Sequence, residues 1–326
     1  MKSEIYPYKL KIGIPTISAS ISGGNSQVLK GLLSDGTMIA IKEYEGSQQR
    51  IQRMLSREQK AIAFLQENGL KNIPEILEIR SDLGLIVYRW IEGNIPLSNH
   101  ETMSSILKMY GDLKEIYNDG LIFDNAIDAA FSISEIHTQI LNRIQYFDVT
   151  YPSPNIKILC SQINERLNLC SLNQVKGHTF DQKTFSLSDL GTHNIIFSGS
   201  SYAFIDFEFF GVDSVNKLVG DFLLHPRNEF KEDDISRFTK FVSKISNWEL
   251  TELNEVMPLL TLKWAAIAYG RTFNQVGYKA LNQISEELIR ESKGTLYLEY
   301  FDSLLRGKPR DMFVTFRSFE DRVRKS

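Results

Sequence analysis

Residues 187–208 decide the fold, and they read Leu-Ser-Asp-Leu-Gly-Thr-His-Asn-Ile-Ile-Phe-Ser-Gly-Ser-Ser-Tyr-Ala-Phe-Ile-Asp-Phe-Glu. Two apolar runs on either side of a turn at 198–201 predict a β-hairpin. Asn194 stands just before the first predicted strand and Asp206 just after the second, so the two lie nearly opposite each other. Cross-strand neighbours stand roughly 5 Å apart, and at that separation an amide oxygen and a carboxylate can share one hard cation such as Mg²⁺. The hairpin therefore predicts a metal site at its open end.

Asp189 lies five residues before Asn194, on the approach to the same end of the hairpin. A carboxylate there can accept or orient the proton of an attacking hydroxyl group. Asp, then Asn five residues on, then Asp twelve further on, is the spacing that kinase-like enzymes use for phosphoryl transfer. The alternative is a surface hairpin with polar ends, because Asp and Asn are common turn residues.

A second, independent pattern links a strand to the helix that follows it. Residues 39–42 read Ile-Ala-Ile-Lys, which matches the strand motif V-A-I-K. Glu58 falls inside the apolar stripe of a helix predicted at about 48–68, and burying a carboxylate without a partner is costly. We therefore expect Lys42 to pair with Glu58. The alternative is a lysine that snorkels from a strand edge and a glutamate at the margin of the stripe.

The stretch Ser22-Gly23-Gly24-Asn25-Ser26 lies between two predicted strands, upstream of Lys42. Its backbone amides can serve as donors to phosphate. An ordinary turn is the alternative, since the stretch has neither a following Gly-Lys-Ser/Thr nor the pattern G-x-G-x-x-G.

The wider sequence predicts an α+β chain with two regions. Residues 1–91 read as a small antiparallel β-sheet with one helix, and a hinge follows near Arg89 to Gly93. Residues 92–326 read as a large, mainly helical region that contains the loop and hairpin at 186–211. We expect the first region to bind nucleotide and the second to carry the acceptor site.

The composition is that of an ordinary globular protein. Of the 326 residues 42% are hydrophobic and 24% charged, and the net charge of −3 gives no reason to expect a nucleic-acid or membrane partner. Two cysteines, Cys160 and Cys170, fit a reducing compartment better than a disulfide scaffold. We interpret the chain as soluble and cytoplasmic.

Taken together, these residues resemble the aminoglycoside phosphotransferase and choline kinase-like family. That family's catalytic segment reads H-G-D-x-x-x-x-N, followed by a strand and I-D-F-E. Asp189, Asn194 and residues 205–208 match this pattern, and residues 87–93 are similar to the family's hinge. The resemblance covers residues 17–225, more weakly at 98–172, and implies a two-lobed protein kinase-like fold.

The resemblance implies an ATP- and Mg²⁺-dependent phosphotransferase that moves the γ-phosphoryl group to a hydroxyl of a small molecule, such as an amino alcohol, a sugar or an aminoglycoside-like compound. The backbone of Arg89, Trp90 and Ile91 would meet the adenine, and Lys42 the phosphates. Asn194 and Asp206 would hold Mg²⁺, with Asp189 as the base or hydroxyl-orienting group. Asp221 resembles a later aspartate that braces the catalytic loop, and we interpret it as structural.

The chain departs from the family pattern at Leu187 and Ser188, which replace the His-Gly that precedes the catalytic aspartate. The histidine's usual part is to support the loop, so the departure leaves a second hypothesis: a nucleotide-binding, catalytically weak module that regulates or scaffolds a pathway. The chain also resembles bacterial members of this family with a Ser-Asp variant, and that resemblance implies a place in surface-carbohydrate metabolism. A protein kinase is disfavoured, because nothing after Glu208 resembles a long activation segment closed by A-P-E.

The acceptor site is expected in the helical region. Glu208 and Asp213 can meet a cationic or hydroxylated ligand by charge, and Trp264 and Tyr269 by cation–π contact, although packing inside a helical core is the favoured interpretation of the two aromatics. His193 can line the site or stabilise the loop. The identity of the acceptor, the choice of ATP or GTP and the oligomeric state stay open at this stage.

Overall fold

The computed structural model describes residues 4–22, 26–170, 179–276, 284–306 and 319–321. Its strands are β1 (Glu4–Ile5), β2 (Thr16–Ser22), β3 (Ser26–Leu32), β4 (Met38–Tyr44), β5 (Ile76–Arg80), β6 (Leu85–Arg89), β7 (Lys183–Ser186), β8 (Ile195–Phe197), β9 (Tyr202–Phe204) and β10 (Gly211–Ser214). Its helices are α1 (Gln48–Glu67), α2 (His100–Ile116), α3 (Ile133–Thr150), α4 (Pro154–Leu169), α5 (Val215–Leu224), α6 (Glu232–Ser246), α7 (Leu253–Val276), α8 (Glu286–Glu291) and α9 (Lys293–Arg306). The chain forms two compact units: unit 1 comprises residues 1–96 and 192–211, and unit 2 comprises residues 97–191 and 212–326.

Unit 1 is built on an antiparallel sheet with the strand order β1-β2-β3-β4-β6-β5. Strand β4 is central and holds Lys42 between Val28 of β3 and Ile86 of β6. Because side chains alternate along a strand, Ile39 and Ile41 point to the opposite face from Lys42 and are fully buried in the sheet's apolar core. The sheet thus fixes Lys42 on one face while the other face supplies the packing.

Helix α1 occupies the span that the sequence predicts. The hydroxyl of Ser47 accepts a hydrogen bond from Arg50 N at the helix start, and the chain leaves the helix through Gly69 at φ +86°, a conformation that glycine adopts without strain. The buried stripe contains Leu55, Ile62 and, between them, Glu58. The predicted carboxylate on an apolar helix face is confirmed.

The hairpin β8–β9 belongs to unit 1, whereas the predicted division at residues 91–92 grouped it with the helical region. Its contacts explain the difference: Phe197 and Asn94 exchange two backbone hydrogen bonds of 2.8 and 3.0 Å, and Phe204 N donates to Asn72 O. Gly93 allows this close approach, because its φ is +154° and a Cβ there would lie 2.4 Å from Phe197 O. The functions predicted for the two regions stay predictions.

Unit 2 is mainly helical, as predicted. Helix α7 runs through its interior and packs against α3, α5 and α9. Its apolar residues are buried on all sides near the middle, with Leu260, Ala265 and Tyr269 fully enclosed, which is why this helix shows little amphipathic character. Strand β7 pairs with β10. Among the described residues, no helix is both long enough and apolar enough to span a membrane.

Candidate active site

Lys42 lies at the centre of a buried cluster of charges in unit 1. Its Nζ is 2.7 Å from Glu58 Oε2, 2.6 Å from Asp206 Oδ1 and 3.1 Å from Glu208 Oε2. The side chains of Lys42, Glu58 and Glu208 are at most 7% exposed, whereas that of Asp206 is 30% exposed. The predicted Lys42–Glu58 pair is therefore present, and Asp206 is the member of this Lys42 cluster that reaches solvent.

Glu58 also accepts hydrogen bonds from a neighbouring side chain and from the backbone next to Asp206. The hydroxyl of Tyr44 donates to Glu58 Oε2, and the amide of Phe207, the residue after Asp206, lies 3.4 Å from Glu58 Oε1. Asp206 itself adopts a left-handed conformation at φ +69°, which Asp tolerates better than most residues. Together these contacts hold the carboxylate of Asp206 against the ammonium group of Lys42.

The electrostatics of the Lys42 cluster are unbalanced, since one ammonium faces three carboxylates within the described part of the chain. Burial would lower the pKa of Lys42, but the charges of Glu58 and Asp206 outweigh it and hold that pKa well above its usual range. Burial, together with the neighbouring carboxylates, raises the pKa of Asp206 to about 7 despite the attraction of Lys42. The cluster thus carries an excess of negative charge that an added cation would relieve.

Asn194 stands at the open end of the hairpin, as the sequence predicts. It closes a single 3₁₀ turn, Thr192–Asn194, and is buried. Strand β8 begins at Ile195, which pairs with Phe204, and Asn194 O accepts a hydrogen bond of 2.9 Å from Ile205 N. The register therefore sets Asn194 and Asp206 on facing strand ends of unit 1.

The predicted hinge continues from the C-terminal end of β6, an interior strand of the same sheet. Trp90 N donates to Met38 O at 3.0 Å, and the Trp90 indole donates to Glu92 while Lys30 lies over its ring at 4.3 Å. Arg89 pairs with Glu75 at the surface, and Ile91 follows next in the chain. Of the predicted phosphate loop, Ser22 ends β2, whereas Gly23, Gly24 and Asn25 lie outside the described residues.

Asp189 belongs to unit 2, where its neighbours were not predicted. Its amide donates to Leu187 O at 2.8 Å, and Ser188 between them has φ +61°. Its Oδ1 lies 2.8 Å from Nε2 of His225, a buried histidine 36 residues further along the chain. No sequence pattern indicates this contact, because no periodicity links positions so far apart. His193, expected either to line the site or to stabilise the loop, is half-buried in unit 1.

The structure shows the contacts of three acidic residues that were predicted as substrate contacts or supports: Glu208, Asp213 and Asp221. Glu208 lies beside Lys42, so its contacts favour a role in the Lys42 cluster over contact with an acceptor. Asp213 is fully buried and accepts from the amides of Ala130 and Ser214 and from Lys217, which favours a structural role over ligand contact.

Asp221 bonds Lys217 at 2.7 Å and the indole of Trp264 at 2.9 Å, which accords with its interpretation as a brace. Trp264 and Tyr269 are buried in the core of unit 2. The favoured interpretation of the two aromatics is confirmed.

No family model and no curated protein sequence matches this chain. A choline kinase from Cryptosporidium parvum Iowa II aligns with a TM-score of 0.61 at 12% identity, over 93% of this chain and 92% of that one. Choline kinase LicA from Streptococcus pneumoniae aligns with a TM-score of 0.57 at 14% identity, over 89% and 94%.

A third solved structure extends the likeness beyond choline kinases. The spectinomycin phosphotransferase APH(9)-Ia, in complex with ADP and spectinomycin, aligns with a TM-score of 0.54 at 11% identity, over 93% of this chain and 92% of that one. This chain therefore has the protein kinase-like fold of small-molecule phosphotransferases. The resemblance to choline kinases and aminoglycoside phosphotransferases, predicted from the sequence, is confirmed at the level of the fold.

Proposed function

We propose that this protein is an ATP- and Mg²⁺-dependent phosphotransferase that transfers the γ-phosphoryl group to a hydroxyl of a small molecule. The observation that carries the proposal is the contact of Lys42 with both Glu58 and Asp206, at 2.7 and 2.6 Å. A lysine held by a helix glutamate, next to a metal-binding aspartate, is the arrangement that kinase-like folds use to bind phosphates. The fold of the chain supports the same conclusion.

The donor set suits Mg²⁺. Asn194 and Asp206 offer an amide oxygen and a carboxylate, the hard oxygen ligands that this ion prefers. The three carboxylates that surround the single ammonium group of Lys42 give a physical reason for a divalent cation to bind there. When bound, Mg²⁺ would neutralise charge on the transferring phosphates.

Each remaining residue has a role that follows from its position. Lys42 would contact the α- and β-phosphates, and Glu58 would hold its ammonium group in place. The backbone of residues 89–91, which follows β6, would meet the adenine. Asp189 would accept or orient the proton of the acceptor hydroxyl, a role proposed from its place five residues before Asn194. Because phosphoryl transfer has a loose transition state, positioning and charge neutralisation would supply most of the rate.

The test is turnover on a panel of acceptors. The protein is incubated with ATP, Mg²⁺ and amino alcohols, sugars or aminoglycosides, and ADP release is followed. We expect turnover on at least one acceptor, and Asp189→Asn should lower kcat by about 100- to 10,000-fold while ATP binding is retained. Asp233, an exposed residue at the start of α6, provides the matched control, and Asp233→Asn should leave turnover unchanged.

Two outcomes would contradict the proposal. Full activity in Asp189→Asn would remove the base from the mechanism. Nucleotide binding without turnover on the whole panel would favour the second hypothesis, a catalytically weak regulatory or scaffolding module.

A further inference from the structure

The turn that follows helix α5 reaches back to the segment that carries Asp189. Helix α5 ends at Leu224, and the chain turns through His225 to Asn228, whose amide donates to His225 O at 3.1 Å. The side chain of His225 lies 2.8 Å from Asp189 Oδ1, and the amide of the Asn228 side chain donates to Leu190 O at 3.0 Å. One turn of unit 2 therefore contacts two successive residues of the 187–191 segment.

The hydrogen bonds of His225 fix the position of its ring proton. The backbone N–H of Arg227 donates to Nδ1 of His225 at 3.1 Å, and a backbone amide can only donate. Nδ1 must therefore be the unprotonated acceptor of a neutral ring, so the proton is on Nε2. That proton points to Asp189 Oδ1, which makes His225 the donor and the carboxylate the acceptor.

The imidazole ring is itself held by its surroundings. His225 is 2% exposed, and Trp264 packs edge-on against it with ring centroids 5.4 Å apart. The indole of Trp264 is fixed by its hydrogen bond to Asp221, and the hydroxyl of Tyr297 donates to the carbonyl of Leu224 at 2.6 Å, just before the histidine. A ring locked in this way can hold a carboxylate in one orientation.

We propose that His225 is a positioning residue for Asp189. Its Nε2–H binds one carboxylate oxygen and so sets the direction of the other, which has to meet the hydroxyl proton of the acceptor. Asn228 contributes by holding the carbonyl of Leu190 next to it. This inference rests on the phosphotransferase function proposed above, in which Asp189 is the catalytic residue and His225 acts only through it.

Kinetics of two substitutions at the same position test the proposal. His225→Leu removes the donor but keeps an apolar side chain in the pocket, and His225→Gln places an amide N–H near the position of Nε2. We expect kcat for ADP release to fall about 10- to 100-fold in His225→Leu, since misplacing a reacting group by about 1 Å has a cost of this size. The KM for ATP should stay within about threefold of the wild type, and His225→Gln should recover most of the lost kcat.

A spectroscopic measurement tests the contact without any acceptor. The chain has five histidines, so long-range ¹H–¹⁵N correlation spectra of the full-length protein labelled at histidine resolve each ring, and His225→Gln identifies the signal of His225. We expect a protonated Nε2 and an unprotonated Nδ1, and Asp189→Asn should shift the Nε2 signal. His137, half-buried on α3, gives the control: His137→Leu should leave both kcat and the His225 signal unchanged.

The results separate this inference from the proposed function. A wild-type protein without turnover contradicts the function, and the spectra then decide the contact alone. A proton on Nδ1, or on both nitrogens, would overturn the inference, as would wild-type kcat in His225→Leu. Equal losses in His225→Leu and His225→Gln, with a lowered Tm in both, would show a merely structural histidine and would also overturn it.

Discussion

Each unit of this chain buries a cluster of charges, and the two clusters are balanced differently. In the Lys42 cluster of unit 1, a single lysine faces three carboxylates. In unit 2, Lys217 bonds Asp213 and Asp221 at 2.8 and 2.7 Å, and Lys263 lies close enough for its charge to interact with theirs. We call these four residues the Lys217 cluster.

Among the contacts of the described residues, the Lys42 cluster has one lysine for three carboxylates, whereas the Lys217 cluster has two lysines for two carboxylates. Burial raises the pKa of Asp206 in the Lys42 cluster and of Asp213 in the Lys217 cluster, whereas the charges of Lys217 and Lys263 hold the pKa of Asp221 below its usual range despite burial. Buried charges are tolerated when they are paired. The Lys217 cluster therefore suits a structural role, and the Lys42 cluster suits a site that is completed by a cation and a nucleotide.

The largest expected effect comes from removing the central lysine of each cluster. Lys217→Met leaves Asp213 and Asp221 buried without their partner, so we expect the free energy of unfolding to fall by about 3–5 kcal/mol. Lys42→Met should also destabilise the protein, but there Mg²⁺ can replace part of the missing charge. Chemical denaturation with and without Mg²⁺ measures both effects.

Magnesium should thus stabilise Lys42→Met more than it stabilises Lys217→Met. Equal responses of the two variants to Mg²⁺ would remove the proposed distinction between the clusters. A third variant, Lys30→Met on the surface of the same sheet, controls for general effects of charge, because Lys30 pairs only loosely with the exposed Glu92 at 3.4 Å.

The second prediction concerns Asp206. Asp206→Ala should abolish Mg²⁺-dependent nucleotide binding and lower turnover at least about 100-fold, because it removes the proposed metal ligand, while the fold is kept. Asp221→Asn, in the Lys217 cluster, should leave the Mg²⁺ dependence as it is. Titration of nucleotide binding against Mg²⁺ measures the effect.

The left-handed conformation of Asp206 calls for a second variant, which separates the loss of the carboxylate from added backbone strain. The residue has φ +69°, which alanine adopts less readily than asparagine does. Asp206→Asn removes the charge without adding strain, so it should reproduce most of the loss of Mg²⁺ dependence. If Asp206→Asn kept normal Mg²⁺ dependence, the ligand role of this carboxylate would be wrong.

The parts of the site that the sequence predicted are those encoded by local periodicity. The strand motif at residues 39–42 and the apolar stripe of α1 indicate the pair Lys42 and Glu58 from the sequence alone. The hairpin at 195–204 was readable from two apolar runs and a turn. Each of these signals lies within one element or between two neighbours in the sequence.

The parts of the candidate site that the sequence did not predict depend on contacts between segments that are distant in the chain. His225 reaches Asp189 across 36 positions, and such a contact leaves no periodic trace. The Lys217 cluster, by contrast, does leave a trace in the sequence. Asp213, Lys217 and Asp221 stand at intervals of four, which is the spacing of ion pairs along a helix. Lys263 inside an apolar helix was a further signal that a buried lysine needed acidic neighbours.

The third prediction is a pH dependence that belongs to the Lys217 cluster. Burial and the charge of Lys217 lower the pKa of Lys263 from 10.5 to about 8. The folded protein therefore binds fewer protons than the unfolded chain between these values, so its free energy of unfolding should rise as pH increases from about 8 to 10.5. Lys263→Met should remove this rise and stabilise the protein at pH 7 by about 3 kcal/mol.

Denaturation at several pH values, with the wild type and Lys263→Met compared at each, measures the difference. A free energy difference between the two proteins that stays constant from pH 7 to pH 10.5 would mean that Lys263 is charged in the fold. The compensation within the Lys217 cluster would then be stronger than the lowered pKa indicates.

The smallest expected effect compares the two left-handed residues that flank the hairpin, Ser188 at φ +61° and Asp206 at φ +69°. Glycine adopts this conformation freely, whereas a residue with a Cβ loses about 1–2 kcal/mol in it. Ser188→Gly should therefore raise the free energy of unfolding by about 0.5–1 kcal/mol, once the greater chain entropy of glycine in the unfolded state is subtracted. Ser188→Ala removes the same buried hydroxyl, which has no hydrogen-bond partner among the described residues, but keeps the Cβ, so it should be less stable than Ser188→Gly by the cost of the left-handed conformation.

Thermal unfolding of both variants measures the change in stability. Their kcat values show whether the left-handed conformation of Ser188 contributes to catalysis. Asp206 needs its carboxylate in the proposed mechanism, but Ser188 contributes a backbone turn whose amide bonds Ser186 Oγ at 3.0 Å. A more stable Ser188→Gly with unchanged kcat would mean that His225 and Asn228 fix the 187–191 segment without help from the serine. A stabilised variant with lower kcat would instead show that the stiffness of Ser188 contributes to the position of Asp189.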